Sequence, residues 1–424
     1  MANYIIGKTG LNEVYIINQD KPIAISSYFV IEDSVNGNLI GEVIKTQSLP
    51  CITDELLKEI HSNFDMIEEV KLNKKKITNV AKLKLMQDLI YPITPLSKVR
   101  SALFTDIKPF VYKTEVENGF NIGVIKGTEL MQEELPANIQ NVAPLWQNGF
   151  AVPQKGIPFV LPYDAQREYP HIFISGGSGS GKSFAFRVIM EGVMDHNLPG
   201  LAFDIHNEFE FNMKMNGLTF QPQYQGKYDI FVAGKDIGIN FAELETSELI
   251  TLIAHQEQLS DAQRRILERI HVKGMDIADF EHQLNVMADA FGKMDSFKAD
   301  PSTLTPEEKF VYDSYKKYVT SPDTIRSILS KFYLVKDTGI FVKDINPVRM
   351  CLKNSKLAIV RGNLNVAKML MSFMVRRFYN ERRFYLDNNI HNPNDPKFFP
   401  PFFLFMDEAH NFAPKDQSSP LRSL

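Results

Sequence analysis

Over the first hundred residues, apolar positions come in short runs broken by polar turns. Val14–Ile17, Ile23–Ile31 and Ile40–Ile44 are rich in Val, Ile, Tyr and Phe, and Asn18-Gln19-Asp20 and Asn36-Gly37-Asn38 interrupt them. Such runs punctuated by turn residues predict a small antiparallel β-barrel. Further strand-like pieces follow at Phe110–Val116 and Phe120–Ile125. Prolines and glycines then crowd Pro136–Pro162, which predicts a linker and a domain boundary near residue 150. Beyond it strand and helix alternate, at Ile172–Ile174, Ser183–Met194, Leu201–Phe203 and Tyr228–Ala233, the rhythm of a parallel α/β sheet.

From Glu245 to Phe332 the spacing changes to helical. Leu249, Leu252, Ile253 and Leu259 recur on one face, Ser260 with Gln263 forms a capping box, and Pro306 stands in a helix first turn. A strand at Leu357–Val360, a basic helix over Asn365–Tyr385, a polar loop and an apolar strand at Phe402–Met406 complete the pattern. The expected layout is a barrel with linker over 1–150, an α/β core over 151–244 and 333–424, and a helical insertion over 245–332.

Composition narrows the function classes. With 424 residues, 44% hydrophobic and 23% charged, the chain has material for a large core and is neither disordered nor low-complexity. The net charge of −4 excludes a surface that is basic throughout, and residues 1–150 carry 15 basic against 18 acidic side chains. Lys71, Lys74, Lys75, Lys76, Lys82 and Lys84 therefore read first as a solvated face and second as a DNA-contacting patch. Cys51 and Cys351 are too few for a disulfide framework or a cysteine zinc site. No leader-like N-terminus and no run of 18 apolar residues is present, so the expectation is a cytoplasmic protein without a membrane segment.

Three segments carry chemistry. Gly176-Gly177-Ser178-Gly179-Ser180-Gly181-Lys182-Ser183, followed by Phe184, matches G-x-x-x-x-G-K-[ST] between an expected strand and an expected helix. Glycines there let successive amides converge on a phosphate, and the helix N-terminus adds partial positive charge. Lys182 would reach the β and γ phosphates and the Ser183 hydroxyl would ligate Mg2+. Phe402–Met406 ends in Asp407-Glu408, which suits a magnesium-holding carboxylate followed by a general base. Asp204-Ile205-His206-Asn207-Glu208-Phe209 follows another strand. Its carboxylates are either caps of a strand-to-helix turn or polar groups facing the γ-phosphate.

Together, the P-loop at Gly176–Ser183, the Asp204-x-His206-x-Glu208-Phe209 turn and Asp407-Glu408-Ala409-His410-Asn411-Phe412 resemble the HerA family of hexameric DNA-translocating ATPases. The resemblance implies a RecA-like P-loop core, an N-terminal barrel matching Ser27–Ile31 and Ile40–Val43, and a helical insertion matching Glu245–Phe332. It implies ATP and Mg2+ as cofactors, Lys182 and Glu408 as catalytic groups, and Ser183 with Asp407 as metal ligands. Gly176–Phe184, Asp204, His206 and Glu208 would contact the nucleotide. Ile205, Asn207 and Phe209 stand where the family usually has Pro or Thr, Gly and Tyr.

The expected activity is thus ATP-driven translocation or unwinding of double-stranded DNA by a homo-oligomeric, hexameric ring. The ring would work with a nuclease or other effector in DNA processing or phage defence. The alternative is a nucleotide-gated scaffold that organises an effector without moving DNA. Lys316, Lys317, Arg376-Arg377 and Arg382-Arg383 are basic candidates for DNA contact, though exposed helix faces explain them as well. Family members continue past the acidic strand with a helix, a sensor strand and a basic element acting on the neighbouring subunit's nucleotide. Only 17 residues follow Asp407, so the expectation is a truncated or split ATPase.

Overall fold

The computed structural model describes residues 3–6, 9–50, 77–147, 150–163, 171–177, 179–211, 224–295, 300–388, 390, 392, 395 and 398–409. They fall into two compact units, one running to Gly192 and the other beginning at Val193.

Six antiparallel strands open the first unit: β1 (Asn3–Ile6), β2 (Glu13–Asn18), β3 (Tyr28–Asp33), β4 (Gly37–Leu49), β5 (Thr78–Leu85) and β6 (Lys98–Ser101). They close into the expected barrel in the order β1-β2-β5-β4-β3-β6, and closure leaves no free strand edge. Alternation does the sorting, since on β2 Val14 and Ile16 face a core shared with Phe29, Ile31 and Leu83 while Tyr15 faces out. The run from Ile23 to Ile31 is not one strand. Ser26 takes a left-handed φ of 63°, and β3 starts only at Tyr28. Of the lysine-rich passage, Lys82 pairs with Glu13 across β2 and β5, and residues 71–76 lie outside the described ones.

Two expectations fail after the barrel. Phe110–Val116 is no strand, because Phe104 and Ile107 lie one helical turn apart and bury one face of α1 (Phe104–Val111) against Tyr28 and Val30. The stretch Pro136–Pro162 is no loose linker either. It holds the hairpin β8 (Leu145–Gln147) and β9 (Phe150–Val152), and then β10 (Pro158–Pro162), which pairs antiparallel with β7 (Gly119–Val124). Ile139 and Ile157 are buried in the cluster that covers α1, and a two-stranded ribbon tolerates prolines at the ends of β10. The unit ends in α2 (Lys182–Asp195), whose last turn passes into the second unit.

The second unit is built on four parallel strands, β11 (Gly200–Asp204), β12 (Tyr228–Val232), β13 (Leu357–Arg361) and β14 (Phe403–Met406), in the order β12-β13-β11-β14. The central pair, Gly-Leu-Ala-Phe-Asp and Leu-Ala-Ile-Val-Arg, is apolar until its last residue, as strands covered on both faces must be. Between β12 and β14 run α3 (Thr246–Gln256), α4 (Asp261–Ile270), α5 (Ile277–Met294), α6 (Pro306–Tyr315), α7 (Pro322–Lys336), α8 (Asn346–Lys353) and α9 (Leu364–Asp387). The capping box read from sequence is formed, and the structure adds a second. Ser260 Oγ accepts from the Gln263 amide while Gln263 Oε1 accepts from the Ser260 amide, and Thr305 with Glu308 does the same beside Pro306.

Helices and sheet share one core. Leu201 and Phe203 of β11 join Phe241, Phe280 and Phe332 in a single buried cluster, with the Phe280 and Phe332 rings 5.2 Å apart. Truncating such a ring to Ala costs about 3–5 kcal/mol. The helical segment is therefore part of what holds the sheet edge in shape.

Candidate nucleotide site

Gly176, Gly177 and residues 179–183 lead into α2 through a tight turn. Gly179 and Gly181 have φ of 74° and 91°, a left-handed backbone that glycine adopts without strain. A Cβ on Gly176 would stand 2.3 Å from Ser180 Oγ, so a side chain there would require the Ser180 hydroxyl to turn aside. The Ser180 amide donates to Gly177 O (3.2 Å) and the Ala185 amide to Gly181 O (2.9 Å), the latter opening the helix. Lys182 Nζ donates back to Gly176 O (2.9 Å) and Gly177 O (3.0 Å). Its ammonium thus lies over the loop's own carbonyls. Ser183 and Phe184 are exposed, and Ser178 lies outside the described residues.

The strand expected before this loop is absent. Residues 171–177 pair with no described strand, and Ile172 and Phe173 are exposed, Phe173 to 86%. Ile172–Ile174 has strand composition, but a strand also needs a ladder partner to satisfy its backbone.

In the second unit three strand ends carry charge. Asp204 ends β11, Arg361 ends β13 opposite it in register, and Asp407 follows Met406, which pairs with Phe203. Adjacent strands lie about 4.8 Å apart, so these groups line the C-terminal edge of the sheet, where open α/β folds bind ligands. Asp407 Oδ1 accepts from the Glu408 amide (3.0 Å), and Glu408 is exposed with a left-handed φ of 50°. For a non-glycine residue that backbone is uncommon, and such outliers gather at functional sites. His410–Phe412 lie outside the described residues.

The acidic turn after β11 divides. Asp204 is buried, its Oδ1 accepting from the Glu208 amide (2.9 Å) and its Oδ2 from the Phe209 amide (3.2 Å) and from Arg361 Nε (2.9 Å). That is the turn-capping alternative, with a buried ion pair added. His206 and Glu208 are exposed on the turn. Arg361 was not legible as a partner in sequence; the available signal was a charged residue closing an otherwise apolar parallel strand. Among the described residues no group of three metal-ligating side chains occurs, so His206 belongs to no such cluster.

The basic residues singled out in sequence are mostly engaged within the chain. Lys316 pairs with Asp313, Arg382 donates to Phe399 O, and Arg383 stands 3.7 Å from Asp387. Arg377 is not on an exposed face. It donates to Glu248 and to Glu243 O and lies over the Phe373 ring, tying α9 to α3.

Comparison with protein families turns these parts into an identity. A model described as the central domain of helicase HerA matches residues 161–377, just over half of the chain. The chain belongs to the HerA family. It is a P-loop ATPase with an α/β core and a closed six-stranded N-terminal barrel. A search of curated proteins finds no match. No helix among the described residues is long and apolar enough to cross a membrane.

Residues of this HerA-family chain fit a nucleotide with a divalent cation. The left-handed glycine turn at a helix start, with a lysine held among the described residues by two carbonyls, is suited to phosphate. The Ser183 hydroxyl of the first unit is a hard oxygen donor of the kind magnesium takes, and so, taken by itself, is the Asp407 carboxylate of the second.

Proposed function

We propose that this HerA-family ATPase hydrolyses ATP with Mg2+ on a RecA-like core, as a subunit of a hexameric ring that translocates or unwinds double-stranded DNA. A nuclease or other effector protein would act with it in DNA processing or phage defence. The observation that carries the reading is the Gly176–Ser183 turn, with its left-handed glycines and Lys182 folded over two loop carbonyls.

Each role follows from the chemistry of the side chain. Lys182 exchanges two neutral carbonyls for phosphate oxygens, which hold an ammonium more strongly. Ser183 and Asp407 would hold the cation, which when bound neutralises phosphate charge. Glu408 accepts a proton as the oxygen of a water bonds to the γ-phosphorus and the bond to the ADP oxygen breaks. The Asp407 contact to the Glu408 amide fixes the backbone that presents that base.

Purified protein should hydrolyse ATP faster with double-stranded DNA present, and Glu408→Gln should abolish turnover while retaining ATP binding. Turnover indifferent to DNA, with nucleotide-dependent assembly around an effector, would replace the motor by the scaffold reading.

A further inference from the structure

Arg361 holds more than a counter-charge. Its Nε donates to Asp204 Oδ2 (2.9 Å) and its Nη2 to Phe209 O (2.9 Å). Asp204 in turn accepts the amides of Glu208 and Phe209. Both backbone polar groups of Phe209 are thereby fixed, the N–H by Asp204 and the C=O by Arg361. The Phe209 ring is buried, which anchors the far end of the turn. Between the anchors Asn207 takes a left-handed φ of 57°, and His206 and Glu208 are exposed. The Glu208 side chain has no hydrogen-bond or ionic partner among the described residues.

A turn pinned this firmly around an unused carboxylate is a mount. We infer that Arg361 is a positioning residue for ATP hydrolysis, holding the Asp204–Phe209 turn so that Glu208 is presented at the sheet edge one strand from Asp407. This rests on the ATPase reading above. Glu208 serves there as a hydrogen-bond acceptor that orients water for hydrolysis. A planar guanidinium is required, because one fork satisfies the carboxylate and the carbonyl at fixed angles, whereas an ammonium replaces the charge without the geometry.

Arg361→Lys keeps Asp204 compensated and loosens Phe209. It should leave the KM for ATP within about twofold and lower kcat about tenfold, as expected when a group is displaced without losing substrate binding. Glu208→Ala should lower kcat by a similar factor, and the double variant should fall no further than either single one. Hydrogen exchange at the Glu208 and Phe209 amides should quicken in Arg361→Lys whether or not turnover is measured. Unchanged exchange, wild-type kcat in Arg361→Lys, or a double variant whose losses multiply would overturn the proposal. Absence of turnover in the wild-type protein would instead remove the ATPase reading, and the wild-type control separates the two failures.

Discussion

Arg361 Nε and Asp204 Oδ2 lie 2.9 Å apart across the ends of two neighbouring parallel strands, and the carboxylate is only 1% exposed. Burying either charge alone would be costly, so each residue is the condition for the other. The pair also closes the turn that carries His206 and Glu208.

Asp204→Ala should therefore act first on stability. It strands a guanidinium and frees two backbone amides, and the expected loss is about 3–5 kcal/mol. Urea unfolding followed by circular dichroism reads this as a lowered midpoint. A loss under about 1 kcal/mol, the level of an exposed pair, would show that the pair is not structural.

At Gly179 the backbone alone decides. Nothing lies within 4 Å of a Cβ placed there, yet φ is 74°. Gly179→Asn should keep the thermal shift produced by ADP, because Asn tolerates the left-handed region, and Gly179→Val should lose it. Equal loss in both variants would mean that bulk, not the dihedral, is what the loop rejects.

Asp33 gives the barrel a defined acid limit. Burial raises its pKa, but hydrogen bonds from Asn36 and Thr94 outweigh that and hold the carboxyl well below the usual range. A depressed folded-state pKa means that unfolding takes up a proton, so this stabilisation is complete above the ordinary carboxylate pKa and is lost as pH falls through the folded value. Asp33→Asn should cost about 1–3 kcal/mol at neutral pH. Hydrogen exchange over residues 28–49 should show the gap between variant and wild type closing as pH falls towards the folded value. A gap independent of pH would exclude the carboxylate as its source.

His271 sets a limit of opposite chemistry. It is buried beside Phe241 and Phe280, its Nδ1 lies 3.0 Å from Thr246 Oγ1, and its Nε2 has no hydrogen-bond partner among the described residues. Burial holds its pKa below the ordinary value, with Glu245 offsetting only part. The unfolded chain then binds the proton first, so stability is full above the unfolded pKa near ~6.5 and falls as pH drops below it. His271→Phe should flatten the pH dependence of the unfolding midpoint between about pH 5 and 7. A variant as pH-dependent as the wild type would place that titration elsewhere.

What was readable in the chain was readable for local reasons. The apolar run Val14–Ile17, the glycine spacing of 176–181, the Ser260 cap and Pro306 in a first turn depend on a few neighbouring residues, and each produces its element where expected. Phe110–Val116 misled because β-branched and aromatic residues also serve a buried helix face, which α1 uses. Pro136–Pro162 misled because prolines mark turns and ribbon edges alike.

The amino-acid sequence by itself determined the chemistry available: a phosphate-binding loop, two adjacent carboxylates at Asp407 and Glu408, and an acidic turn after β11. Only the tertiary structure decided what Asp204 does with its charge. Its partner Arg361 is 157 residues away along the chain, and no local pattern can encode a register between two parallel strands so far apart. Burial in the sheet makes that pairing obligatory, and the same register turns Asp204 inward while leaving Glu208 exposed.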